Sequence, residues 1–127
     1  MGNRSQELSR RERQIMDVIY QREQATVGEV QEALPDPPSY SSVRALMGIL
    51  EEKGWLLHEQ DGARYIYRPT QPRASAGKQA IARVLHTFYG GSVEQAVAAL
   101  LESSDGFTDE QMMQISALIA QARQEGR

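Results

Sequence analysis

The sequence predicts a mainly α-helical chain with one small β-hairpin, and three observations carry that reading. Apolar residues recur at helical spacing in a succession of short segments. Most of those segments open on a Ser or Thr followed three residues later by Glu or Gln, the capping-box signature of a helix start. The period changes to two only once, in two aromatic and β-branched runs around an Asp-Gly turn.

The first helix is expected over about Ser9 to Gln21. Ser9 and Glu12 form its capping box, and Leu8, Ile15, Met16, Val18 and Ile19 give it one apolar face. Thr26 and Glu29 repeat the box before Val30, Ala33 and Leu34, and Pro35, Pro37 and Pro38 stop that second helix near Leu34. A third helix, Tyr40 to Lys53, follows Ser39. Its core face is Val43, Leu46, Met47 and Leu50, and Gly54 terminates it.

Trp55–Glu59 and Arg64–Arg68 then read as paired strands joined by Gln60-Asp61-Gly62-Ala63. Three helices and a hairpin in that order make a winged helix-turn-helix domain, expected over residues 1–70. Pro69 to Ala76 suits a linker.

Residues 71–127 are expected to form a helical dimerisation region. Ile81, Val84, Leu85 and Phe88 share a face that ends at Gly90-Gly91. Ser92 and Gln95 open a segment carrying Val97, Leu100 and Leu101. Thr108 and Gln111 open the last helix, where Phe107 and Met112 are spaced for a hydrophobic staple and the stripe continues through Ile115, Leu118, Ile119 and Ala122. Helices this short are not stable alone in water. Their faces can fold back on the first domain or meet a second copy, and the linker favours a symmetric homodimer.

Composition narrows the function. The chain has 127 residues, 40% hydrophobic and 24% charged, which is ordinary for a globular protein. It has no cysteine, so disulfides, thiolate metal sites and thiol catalysis are excluded and a cytoplasmic setting is expected. No apolar run reaches the roughly 18 residues that span a bilayer, so no membrane insertion is expected. The polar start Met1 to Gln6 does not read as a signal peptide, and Gln6 stands where a myristoylation motif has Ser or Thr.

No catalytic constellation is evident. His58 and His86 are the only histidines, and they read as surface or partly buried side chains. Gly90-Gly91 follows a helix, so it reads as a cap and turn, not a nucleotide fingerprint. No enzyme activity, cofactor or metal is expected.

The third helix is where binding chemistry concentrates. With its core face assigned, Ser41, Ser42, Arg44, Ala45 and Gly48 lie outward, with Ser39 and Tyr40 at the start. Pro37 to Leu50 contains no acidic residue, so this stretch can approach phosphates without repulsion. A recognition helix reads base edges with its N-terminal residues, and an arginine there can bind guanine with two hydrogen bonds.

Ala45 and Gly48 let the helix lie deep in a groove, or alternatively let another protein element pack closely. Arg64 and Arg68 on the second wing strand, and Arg10, Arg11 and Arg13 on the first helix, are further candidates for phosphate contacts. The net charge of −3 runs against DNA binding by gross electrostatics, so any DNA-binding face must be local. It leaves a winged-helix protein–protein interaction module as the alternative.

Several of these segments resemble the penicillinase and methicillin-resistance repressors, with the copper-responsive repressors of the same superfamily. They are Leu8-Ser9 through Ile15-Met16, Tyr40 to Leu46, Leu50 to Leu56, Asp61 to Tyr67 and Phe88 to Ser92. The resemblance covers nearly the whole chain. It implies a homodimeric transcriptional repressor that binds an inverted-repeat operator in double-stranded DNA through the third helix and is held together by its C-terminal helices. It places base or phosphate contacts on Ser39, Ser41, Ser42, Arg44 and Arg64.

The antibiotic-resistance members further imply derepression through a membrane sensor or protease pathway, with cleavage at an Asn-Phe step after the paired glycines. Here Val97-Ala98-Ala99-Leu100 occupies that stretch. The cysteine-rich metal site of the copper-responsive members has no counterpart.

Overall fold

The computed structural model describes residues 7–103 and 105–126; the polar opening Met1–Gln6 and the terminal Arg127 lie outside them. The element order is α1 (Arg10–Arg22), α2 (Val27–Ala33), α3 (Tyr40–Glu52), β1 (Leu56–Asp61), β2 (Arg64–Pro69), α4 (Arg73–Tyr89), α5 (Val93–Leu101) and α6 (Asp109–Gln124). One compact unit ends at Gln79 and a second begins at Ala80.

The helix starts follow from their caps. In α1 the Glu12 N–H donates to Ser9 Oγ at 3.2 Å, and the Ser9 N–H donates to Glu12 Oε1 at 2.7 Å. Thr26 and Glu29 repeat both bonds at 3.2 and 2.9 Å for α2, as do Thr108 and Gln111 at 3.1 and 2.9 Å for α6. Each box satisfies amides that a helix start leaves without an internal acceptor.

At Ser92 the box is only half formed. The Gln95 N–H donates to Ser92 Oγ at 3.1 Å, but the Ser92 N–H is already taken by the Tyr89 carbonyl at 2.8 Å. The turn through Gly90 and Gly91, both at positive φ, brings that carbonyl round.

The end of α3 is a Schellman motif. Gly54 adopts φ 86°, the Trp55 N–H donates to the Leu50 carbonyl at 2.9 Å, and the Gly54 N–H donates to Glu51 at 3.0 Å. The strands pair antiparallel from Leu56↔Pro69 to Asp61↔Arg64, so the first strand runs two residues further toward the turn than the sequence suggests. The loop is therefore Gly62-Ala63, and its positive φ at Gly62 alone matches the type II′ pattern.

The linker expected from Pro69 to Ala76 is much shorter. Pro69 is the last residue of β2 and α4 begins at Arg73, leaving Thr70 to Pro72 between them. Pro72 starts a helix instead of preventing one: its carbonyl accepts the Ala76 N–H at 3.0 Å, and it has no N–H to leave unsatisfied at a helix start.

The core of the first unit is Ile15, Met16 and Ile19 from α1, Val27, Val30 and Leu34 around α2, Val43, Met47 and Leu50 from α3, and Leu56 and Tyr67 from the hairpin. Ala25 adds a connection that periodicity does not show. Its N–H donates to the Tyr67 carbonyl at 3.0 Å and its carbonyl accepts the Tyr67 N–H at 2.8 Å, tying β2 to the segment between α1 and α2. Three helices and a two-stranded hairpin in this order form a winged helix.

Glu12 is the one buried charged residue among the described residues, at 3% exposure. Its Oε1 also accepts from Lys53 Nζ at 2.9 Å, joining the start of α1 to the end of α3. Burial by itself raises the Glu12 pKa. Hydrogen bonds from the Ser9 backbone, from Lys53 and from the Ser9 hydroxyl together outweigh it and hold the carboxyl below the usual glutamate range.

A carboxyl with a depressed folded pKa contributes stability that is complete above its unfolded pKa and lost as pH falls through the lower folded value. Glu12→Gln should therefore cost about 1–2 kcal/mol at neutral pH by removing the carboxylate that Lys53 faces. Urea unfolding followed from about pH 7 down to pH 3 checks it: the native chain should lose its advantage over Glu12→Gln below about pH 4.5. Parallel acid limbs would be the contrary result.

Candidate nucleic-acid interface

The N-terminal half of α3 is built so that one face is committed to the core and the other to nothing inside the chain. Val43, Met47 and Leu50 are fully buried at 0% exposure. This fixes the rotation of the helix and turns Ser41, Ser42, Arg44 and Ala45 outward, with Gly48 half-buried beside them. Tyr40 is 53% exposed.

Ser39 caps the helix, accepting the Ser42 N–H at 3.2 Å, and its hydroxyl lies 2.9 Å from Ser42 Oγ and 3.2 Å from Ser41 Oγ. The result is an exposed cluster of hydroxyls at the positive end of a helix dipole, in a stretch without carboxylates. Arg44 makes no hydrogen bond or ion pair among the described residues, so its guanidinium is available to an external acceptor.

Gly48 lies on the same side. A Cβ built there meets nothing within 4 Å, so no neighbour within the chain requires a glycine in this helix. An internal packing reason is thereby removed, and the close-approach reason from outside stands.

The wing supplies the second cationic element. Arg64 sits beside the turn with its side chain 66% exposed, paired only loosely to Asp61 at 3.5 Å. Arg68, on the same strand face by alternation, is occupied: it pairs with Glu59, and its Nε donates to Gln24 Oε1 at 3.0 Å. The arginines of α1 divide in the same way. Arg11 donates to the Pro35 and Asp36 carbonyls, each at 2.7 Å, and so braces the loop after α2, while Arg10 and Arg13 are exposed.

Tyr40, Arg44 and Arg64 come together along an open groove of about 300 Å³, whose other walls are Thr26, Val27, Gln60, Ala63, Tyr65 and Tyr67. Ser39, Ser41, Ser42, Ala45, Gly48 and Arg68 do not line it. The contribution of Thr26 and Val27 was not legible as binding chemistry, because Thr26 reads in the sequence only as a cap. The groove faces are polar and cationic, a chemistry suited to a phosphate backbone.

Tyr67 forms the floor, 4% exposed. Burial pushes its hydroxyl pKa up, the Glu51 carboxylate adds to that, and the Arg44 guanidinium opposes it. The hydroxyl therefore stays a neutral donor and acceptor. Among the described residues no group of three or more His, Asp or Glu is placed to hold a metal ion. No helix among the described residues is long and apolar enough to cross a membrane.

The second unit presents a different surface. No residue of α4, α5 or α6 is buried. Of the apolar residues read from the sequence, Ile81, Val84, Phe88, Val97, Leu100, Leu101, Met112, Leu118 and Ile119 are exposed, and Leu85 and Ile115 are half-buried. Val93 and Met113, at 57% and 73% exposure, join them unannounced. Val93 is the first residue after the Ser92 cap and Met113 adjoins Met112, so the helical periodicity passes over both.

A family model described as Penicillinase repressor matches residues 8–121, from the start of the first helix almost to the end of the last. No curated protein matches the chain. The match takes in the winged helix, the exposed face of α3 and the apolar tail together, and so the chain belongs to the penicillinase repressor family, whose members are DNA-binding transcription regulators and not enzymes.

Proposed function

We propose that this protein is a homodimeric repressor that binds an inverted-repeat operator in double-stranded DNA, with α3 in the major groove and the wing along the backbone. The observation that carries the reading is the outward face of α3. Arg44 has no partner there, the hydroxyls of Ser39, Ser41 and Ser42 surround the helix start, and Ala45 and Gly48 leave room for close approach. A helix in the groove contacts bases with its first turns while a flanking element neutralises phosphate, the role assigned here to Arg64.

The division of labour falls near Thr70, with residues 1–70 binding DNA and residues 71–127 making the dimer. The tail supports the second part through what it leaves uncovered. Phe88 at 73%, Leu118 at 65% and Ile81 at 63% exposure are unfavourable in a solvated monomer, and a second copy would bury them. Twofold symmetry in the protein would then match twofold symmetry in the operator.

Release by cleavage at an Asn-Phe step has no substrate bond in α5, where Val97-Ala98-Ala99-Leu100 runs through the helix. A sensor or protease pathway acting on this chain would have to use another bond.

The first experiment is recovery of fragmented genomic DNA by the purified protein at near-physiological salt, followed by sequencing. The expected result is a few promoters sharing an inverted repeat, with binding that weakens steeply as salt rises. Uniform recovery, or binding indifferent to salt, would favour a protein–protein module.

On a recovered promoter, Arg44→Ala should weaken binding by about 1–3 kcal/mol without lowering the melting temperature. Gly48→Ala should separate stability from recognition: it should gain about 1 kcal/mol of helix stability, raising the melting temperature by a few degrees, while weakening operator binding. If Gly48→Ala binds as well as the native chain, α3 does not sit deep in the groove. Leu100→Asp combined with Ile119→Asp should give a monomer by sedimentation and reduce operator affinity by about tenfold or more. A dimer persisting in that variant would place the interface elsewhere.

A further inference from the structure

His58 is left without a role by the recognition face and the core, yet it occupies the junction between the recognition helix and the wing. Its Nδ1 lies 2.6 Å from Glu51 Oε2, near the end of α3. Its ring stacks on Tyr65 with centroids 4.3 Å apart and planes inclined by 20°. Tyr67 lies 5.4 Å from it, tilted by 44°, and 6.5 Å from Tyr65. The three rings form one cluster that reaches from the buried Tyr67 to the exposed Tyr65 nearer the tip.

The base of the hairpin is held firmly by Leu56 and Tyr67 in the core and by the Ala25 bridge. Beyond His58 every hairpin residue from Glu59 to Tyr65 is exposed. An isolated two-stranded hairpin is marginally stable, so the angle of its tip is set by the last side chain that ties it to the body. His58 is that tie: its edge is bonded to α3, and its face is stacked on the residue next to Arg64, a diagonal cross-strand contact.

We infer that His58 is a positioning residue for the wing, holding Arg64 at the height where it meets the DNA backbone when α3 occupies the groove. This rests on the reading of Arg44 and Arg64 as DNA contacts. His58 itself touches no DNA in this arrangement; it acts through Arg64, whose loose pair with Asp61 is readily exchanged for a phosphate.

The test is a double-mutant cycle on the full-length chain, using the promoter fragment with the highest recovery and a series of salt concentrations. Arg64→Ala should weaken binding about fivefold and lower the salt slope by about one, as loss of one phosphate contact does. His58→Ala should give a similar loss and the same change of slope, with the double variant binding no more weakly than Arg64→Ala alone.

A merely structural His58 would lower affinity equally with or without Arg64 and leave the salt slope unchanged, and that result overturns the inference. His58→Phe, which keeps the stack on Tyr65 and loses the bond to Glu51, guards against a folding defect and should recover part of the affinity. If it binds no better than His58→Ala while melting like the native chain, stacking does not hold the wing. If Arg64→Ala weakens binding but His58→Ala does not, the positioning role fails and the DNA-facing reading survives; if neither Arg44→Ala nor Arg64→Ala changes binding, both fall.

Discussion

The Glu12 carboxylate holds two ends of the winged-helix core at once. It accepts the Ser9 amide that begins α1 and the Lys53 ammonium that follows α3. A buried charge is tolerable only when its oxygens are satisfied, and here both partners are needed. The consequence is geometric: the start of α1 is tied to the end of α3, the helix whose rotation is set by the burial of Val43, Met47 and Leu50. Which residues α3 exposes depends on that rotation.

Much of this architecture was legible locally. Ser9, Thr26 and Thr108 each announced a helix start that the structure forms with both reciprocal bonds, because a capping box is written within four residues. Gly54 and Gly62 announced a helix end and a turn because only positive φ serves there. Ser92 also caps its helix as read, but its box stays half formed because the preceding turn has already used its amide. Pro72 misled because a proline marks a helix start as readily as a break, and only its position relative to Arg73 decides which.

The candidate site was legible as a face but not as an assembly. Core periodicity in α3 dictated that Arg44, Ala45 and Gly48 point outward; Arg44 and Ala45 are exposed and Gly48 is half-buried beside them. Which arginines are available was not legible. Arg11 and Arg68 look equivalent to Arg13 and Arg64 in the sequence. They differ through partners at Pro35, Asp36 and Gln24, distant in the chain. The Glu51–His58 contact was hidden for the same reason, since its two members lie on a helix and a strand of different periodicity.

The two faces of α3 have different obligations. Val43, Met47 and Leu50 answer to the fold, while Ser41, Ser42, Arg44 and Ala45 answer to no other part of it. Substitutions on the outer face are therefore nearly free of stability cost, and the chain can change what that face presents without first acquiring compensating mutations in its interior. A scaffold of this kind can diverge at its surface by single steps, each leaving a folded protein behind.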